Sequence, residues 1–477
     1  MPALSFPRSS TPGTRPGEGE GRLVNAYLYQ DGDSTYLRRV PGLVAALSSL
    51  GGTIRCLGAA GGPNHERLYA VLDGAIYAWV GSWVLLTGAI GGTGRVCMAA
   101  NIKDPPDVTF AREDGGLGGG IIANTGTYNN FTPGAWLSSV NSVDYLSGYF
   151  LWTAPGNGRI YASGVNALTS DSLAFASAEA RPDDLIRGVT ADGRYYAMGA
   201  ETIEPWTNQG KVPFPLTRSQ TIINCGLYTW AAVAGNTRGW GREIMFVAND
   251  GTVRALRGYD APVVSNAAVE RFIAGSTKTE LEAQVYTVRG DAFWSLTSDT
   301  GTREYNLRTK AWNERKSEGR ANWRARRAAK WGDAWLFDDL DGTQFLSPDA
   351  NATTENGAAL SFEIESAPLK EFPLRAAIPG VHVDFTRGNG GSFDFSFSKD
   401  GGRNWSDWEN FSLGSTGEDD GPTLVNRLGL QSTHGLIVRI RKNDNVAFSF
   451  LGASVPDPVD VRPKPKRSPS SDDARAA

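Results

Sequence analysis

Four stretches of this chain set an Asp-Gly step, and a fifth an Asp-Thr-Gly step, between two runs of alternating apolar residues. "RLYAVLDGAIYAWV" (Arg67 to Val80) turns at Asp73-Gly74, "RGVTADGRYYAMG" at Asp192-Gly193, "EIMFVANDGTVRALRG" at Asp250-Gly251, "AFWSLTSDTGTREYNL" around Asp299 to Gly301, and "AWLFDDLDGTQFL" at Asp341-Gly342. Asp-Gly between alternating runs is a strong hairpin signal, because a two-residue type I′ turn needs positive φ, which Gly adopts freely and Asp tolerates. From Asp192 onward the turns recur at intervals of roughly 40 to 60 residues, close to the period of propeller blades. The repeats share no tight sequence. The expected fold is therefore mainly β: an irregular β-propeller-like domain with little helix. The best amphipathic stretch, "STKTELEAQVYTV" from Ser276, predicts one short helix capped by Ser276 or Thr279.

Past Leu360 the alternation continues in "LSFEIES", "GVHVDF", "SFDFSFS", "GLIVRIRK" and "VAFSFLGAS", which predicts a C-terminal antiparallel β region, a sandwich or closing blades. The expected organisation is an extended N-terminal arm over 1–20, a propeller-like body over 21–350, the C-terminal β region over 358–455 and a disordered tail over 456–477, with "NATTENG" (Asn351 to Gly357) as linker. Arm and tail are rich in Pro, Gly, Ser and Thr and short of apolar residues, so the arm is expected to order only on a neighbouring molecule.

The C-terminal region carries the most specific motif. Ser398, Asp400, Gly402 and Trp405 fit Ser-x-Asp-x-Gly-x-x-Trp, the Asp box of sialidases and other propeller proteins. Its Ser and Asp suit a turn whose backbone they bond, and its Trp suits packing beneath that turn. This is a structural role, and a fold motif does not fix a chemistry. The alternative function is a glycan-binding or glycan-cleaving, sialidase-like propeller, for which Trp405 and Trp408 would offer surface rings.

Other chemistry finds no constellation. The three histidines, His65, His382 and His434, are isolated, and the three cysteines, Cys56, Cys97 and Cys225, form no CxxC pair. "GGLGGG" (Gly115 to Gly120) lacks the Gly-Lys-Ser/Thr ending of a phosphate loop. No catalytic residue, metal or cofactor is expected, and the chain is read as a non-enzyme. No apolar run reaches the roughly 18 residues of a membrane span, and the start lacks the apolar core of a signal peptide. These features place folding in a cytoplasm without membrane insertion.

The net charge of −4 argues against a protein that grips nucleic acid by charge. One segment runs the other way: residues 301–330 hold ten Lys/Arg against three Glu. Within it Arg320, Arg324, Arg326, Arg327 and Lys330 partly alternate with Trp and Ala, as on an exposed strand, and form the candidate interaction face. It is expected to look outward or toward another subunit.

Three further stretches add a resemblance. "LVNAYLYQDGDSTYLRRVPGL" (Leu23 to Leu43), "ARPDDLIRGVTADGRYYAMGAETIEPWTNQG" (Ala180 to Gly210), and "FSFSKDGGRNW" with "GLIVRIRKNDNVAFSFLGASV" near the end occur in the order seen in one phage family. The chain resembles the packaged-DNA stabilisation proteins of short-tailed bacteriophages, the tail hub or nozzle component, from about residue 20 to 455. The resemblance implies a structural virion protein assembled in the host cytoplasm. It implies a six-fold ring of copies below the portal and its adaptor that extends the DNA channel and helps retain the genome. It also implies that the ring anchors a tail needle, spikes or fibres, and that double-stranded DNA passes without sequence-specific binding. No catalytic residue belongs to the family pattern.

Overall fold

The computed structural model describes residues 3–455 except positions 49, 62–65, 117–118, 123–126, 131–136, 138, 179–180, 182, 242, 343, 371–374, 376 and 419–420. The tail over 456–477 lies outside the described residues.

The body is a propeller of seven successive blades, the sixth continuous through Gly19–Val24 with a sheet of the C-terminal region. The first blade is Ile54–Ala60, Arg67–Leu72, Ala75–Trp79 and Trp83–Ala89. The second runs from Val96–Ala100 to Thr127–Asn130, the third from Ser142–Leu146 to Phe175–Ser177, and the fourth from Leu185–Ala191 to Leu216–Arg218. The fifth has three strands, Val233–Gly235, Ile244–Val247 and Val253–Leu256. The sixth runs from Glu282–Val288 to Ala311–Arg315. The seventh takes Ala325–Trp331, Ala334–Asp339 and Gln344–Asp349 from one end of the body and its fourth strand, Gly42–Ser48, from the other. That strand pairs antiparallel from Gly42 opposite Asp349 to Ser48 opposite Gln344, so the ring is closed by segments some 300 residues apart in sequence.

The first strand of each blade is innermost. Ala325–Trp331 touches Ile54–Ala60, which touches Val96–Ala100, and the sequence continues round the axis. Between the fourth and fifth blades the link is a shared core of Val189, Tyr196, Met198, Val233, Ile244 and Phe246, with Asn236 Nδ2 donating to Thr190 O at 2.6 Å. The second strand of a blade is covered on both faces, which is why "LYAVL", "FLW", "YYAM" and "IMFV" are unbroken apolar runs that are buried throughout. The Asp192-Gly193 turn has both φ values positive, +48° and +72°, as the type I′ reading requires.

The sequence reading needs three corrections. The helix expected from Ser276 is absent: residues Lys278–Glu280 make one 3₁₀ turn and Glu282–Val288 is the innermost strand of the sixth blade. The α-helix lies just before it, Ala267–Ala274, capped by Asn266 Oδ1, which accepts from Ala268 N at 3.1 Å and Val269 N at 3.0 Å. The strands Gly19–Val24, Ala26–Asp31 and Ser34–Arg39, placed with the body on sequence, belong to the C-terminal region instead. Gly19–Val24 joins Phe362–Glu365, Ile437–Lys442, Ser392–Ser398 and Glu409–Ser412 in one sheet. The other two join Phe450–Ser454, Ala377–Phe385 and Thr423–Leu430 in a second. The two sheets close on one core that includes Leu23, Leu37, Ile364, Val381, Phe395 and Val438.

The third correction concerns the arm. It lies along its own chain. Leu4 is buried and its N–H donates to Ala453 O at 2.9 Å. Phe6 packs edge-on against Phe450 at 4.7 Å. Ser10 donates to Trp312 O through its N–H and to Glu314 Oε1 through its hydroxyl. Leu4 and Phe6 of the arm dock by their apolar side chains, and Ser9 and Ser10 by hydroxyl and backbone bonds.

One buried ion pair knots the closure. Arg315, with no exposed side-chain surface, lies 3.4 Å from Glu304 and 3.6 Å from Glu355, both also buried. It donates to Tyr286 Oη at 2.6 Å and to Pro41 O at 2.7 Å, and its guanidinium lies 3.7 Å over the Trp323 ring. It thereby ties the sixth blade to Pro41, beside the closing strand, and to Glu355, which pairs with Leu43. Removing one partner of such a pair strands the others in a low-dielectric interior, at a cost of about 3–5 kcal/mol. Arg315→Ala is expected to lose stability on that scale in urea unfolding. A loss under about 1 kcal/mol, the scale of a surface pair, would show that the knot does not hold the closure.

Candidate functional site: the axial cavity and the Asp-box turn

The Asp box sits at the turn after Ser392–Ser398. Ser398 Oγ donates to Asp400 Oδ1 at 2.8 Å and accepts the Gly402 N–H at 2.8 Å. Asp400 Oδ1 also accepts the N–H groups of Arg403 at 3.0 Å and Asn404 at 2.9 Å, and Trp405 Nε1 donates to Gly402 O at 3.1 Å. Slight burial pushes the Asp400 carboxyl up, but the bonds from Asn404, Ser398 and Arg403 outweigh it and hold the group at about 2. All four motif residues are occupied in holding the turn. The two indoles that could have served a sugar each carry an arginine, Arg439 at 3.5 Å over Trp405 and Arg441 at 4.3 Å over Trp408.

The candidate interaction face does not look outward. Ala325–Trp331 is the innermost strand of the seventh blade, so its side chains meet the axis and the neighbouring blades. Arg324 makes a two-pronged bond to Asp339 at 2.9 and 2.7 Å. Arg327 reaches Glu282 at 3.2 Å and Asp338 at 3.0 Å, and Arg326 is 3.8 Å from Glu282. Arg320, partly exposed, pairs with Asp341 at 2.7 Å, and Lys330 donates to the carbonyl of Asp333. The signal that could have revealed this is the acidic "DDLD" (Asp338 to Asp341), which follows the basic run across one hairpin: Arg326 stands opposite Asp338 and Ala325 opposite Asp339.

Where the inner strands converge they enclose an axial cavity of about 480 Å³. Its wall carries six cationic side chains, Arg55, Arg95, Arg187, Arg238, Arg327 and Lys330, against two carboxylates, Glu66 and Glu282. A chain of net charge −4 thus concentrates positive charge on its axis. Most of it is tied down. Arg55 donates to Gly94 O at 2.8 Å and Ile90 O at 3.1 Å. Arg187 donates to Trp230 O at 3.0 Å with its guanidinium 4.2 Å over that indole. Burial pushes Glu282 up, but Arg327, Arg95 and Arg326 more than reverse this and hold it below the usual carboxylate range. Asp338 differs: burial drives it up to about 7 against the pull of Arg327. Cys56 and Cys97 also line the wall as free, buried thiols, with Cys56 pushed up to about 12 by burial. No group of His, Cys, Asp and Glu able to hold a metal occurs among the described residues.

The raised Asp338 fixes a sign. Its protonated form is favoured by the fold, so its contribution is fully present below its unfolded value of 3.8 and is lost as pH rises through about 7. Asp338→Asn is expected to flatten the fall in stability between pH 5 and pH 8, read as the difference in denaturant midpoint from the parent chain. Parallel profiles for the two would refute this.

A family model described as "Bacteriophage P22 Gp10, beta-propeller" matches residues 24–345, from the sandwich strands through the seventh blade. No curated protein matches the sequence. Among solved structures, a streptogramin B lyase is similar at 10% identity, over 64% of this chain and 97% of its own, with a TM-score of 0.43. A virginiamycin B lyase from Staphylococcus aureus is similar at 11% identity, over 64% and 98%, with a TM-score of 0.42. Likeness this distant carries no argument about what the chain does.

Proposed function

The chain belongs to the phage stabilisation family described as bacteriophage P22 Gp10, beta-propeller, and on that premise we propose that it is the hub, or nozzle, subunit of a short phage tail. In this reading copies form a six-fold ring below the portal and adaptor, extend the DNA channel, help retain the packaged genome and anchor the distal tail parts. The observation that carries the reading is the family match, which spans the propeller almost from its closing strand to its last blade.

The physics of the molecule supports it. A ring needs a rigid subunit with contacts that close by rotation. A propeller closed by distant strands, and joined to a sandwich by the pairing of Val24 with Glu314, supplies such a body. Duplex DNA is densely charged, and clustered Lys and Arg on a channel wall would retard it. Here the most basic strand is turned to the propeller axis, where Arg327 pairs with Glu282 and Asp338, and Arg324 just before it pairs with Asp339. What remains for outer surfaces is the acidic balance of the chain. Because the N-terminal arm is occupied by its own body, attachment to the adaptor is assigned to other surfaces.

Electron microscopy of the purified full chain mixed with a portal–adaptor complex tests this. The expected result is a ring of copies with six-fold symmetry below the adaptor. A chain that stays monomeric and adds no density there would overturn the assignment.

A further inference from the structure

Where the sandwich meets the propeller, a cleft of about 250 Å³ is lined by three arginines, Arg38, Arg39 and Arg289, and, among the described residues, by no carboxylate. Arg38 and Arg39 end a sandwich strand, while Arg289 lies on the exposed turn between the first two strands of the sixth blade. The neutral wall is polar, with Asn351, Thr386 and Ser449 among it.

Unlike the axial cavity, whose wall carries Glu66 and Glu282, this cleft has no carboxylate in its wall among the described residues. Arg39 donates through one nitrogen to Lys442 O at 3.1 Å and Asp444 O at 2.9 Å, and its Nε and Nη1 are buried with no partner. Lys442, with no exposed side-chain surface, already takes the Asp444 carboxylate. Burial lowers Arg39 to about 10, against the pull of Asp444. Arg38 spends its Nε on Ser449 Oγ at 2.9 Å and lies 3.7 Å over the Tyr29 ring, and Arg289 donates to Asn351 Oδ1. Three arginines therefore line the cleft, and two guanidinium nitrogens of Arg39, Nε and Nη1, have no acceptor. Buried donors left unmade are costly, and charge-assisted bonds to an oxyanion are the strong way to satisfy them.

We propose that this cleft binds a phosphate-class oxyanion between Arg39 of the sandwich and Arg289 of the propeller. Several guanidinium forks and nearby hydroxyls suit a tetrahedral dianion better than a single carboxylate. The oxyanion joins the two parts of the chain. Its phosphate can be free or borne as a monoester.

Isothermal titration of the full chain with inorganic phosphate, and separately with adenosine monophosphate, tests this against chloride at matched ionic strength. The expected result is saturable binding of one anion per chain. Arg289→Gln, on an exposed turn, weakens it roughly tenfold or more, the usual scale for losing one charge-assisted bond. Lys103→Gln, a remote surface cation, leaves it unchanged. Arg39→Gln abolishes it. Should that variant fail to fold, Arg289→Gln alone decides. Uptake of both ligands marks a cleft open to phosphate esters, and uptake of inorganic phosphate alone a cleft that admits only the free anion; either supports the site. No saturable uptake of either ligand, or equal affinity in Arg289→Gln and the parent chain, overturns it.

Discussion

The buried guanidinium of Arg315 is the constraint around which the rest of the molecule is arranged. A charge in the interior must be paired and hydrogen-bonded or it opposes folding. Here the acceptors come from four places in the chain: Glu304 and Tyr286 on the sixth blade, Pro41 before the closing strand, and Glu355 after the last blade. Glu304 is itself held by Ser295 and Asn313, and Glu355 by Ser317 and Trp323. The contacts of Arg315 with Pro41 and Glu355 are made only when the ring is shut. They therefore distinguish the closed propeller from an open fan of blades, a distinction that hydrophobic packing, being non-directional, makes poorly.

The same rule shapes the charge of the whole chain. The arginine-rich strand is the innermost strand of a blade, and its partners arrive from the next strand and from the neighbouring blade. A positive axis and a more acidic exterior follow from one net charge distributed unequally. The cleft between propeller and sandwich gathers three more arginines with no carboxylate in its wall among the described residues.

Much of the architecture was legible because it is local. Asp192-Gly193, Asp250-Gly251 and Asp341-Gly342 mark hairpins whose strands adjoin in sequence, and the alternation past Leu360 is that of strands with one buried face. What was not legible is non-local. Nothing in "GLVAALS" (Gly42 to Ser48) says that it pairs with a segment near residue 345, and nothing in "GEGRLV" says that it leaves the propeller for a sheet made mostly of residues past 360. The misplaced helix was a local error. "ELEAQVYTV" can be read with either period, whereas "NAAVERFIAG" carried the cap, the Val269, Phe272 and Ile273 stripe, and the closing Gly275. The Asp box spends its Ser398, Asp400 and Trp405 side chains on its own turn. The basic run was misread because its acids stand across a hairpin.

The closing strand also has a consequence in time. Gly42–Ser48 leaves the ribosome some 300 residues ahead of its partner Gln344–Asp349. At about 5–20 residues per second this is an interval on the order of tens of seconds. Throughout it the nascent chain holds an apolar ribbon with unsatisfied backbone, alongside blades that have formed but cannot yet meet. Exposed strand edges of this kind recruit one another. Keeping that ribbon from pairing elsewhere until its partner emerges is thus a demand on folding that the finished ring does not display.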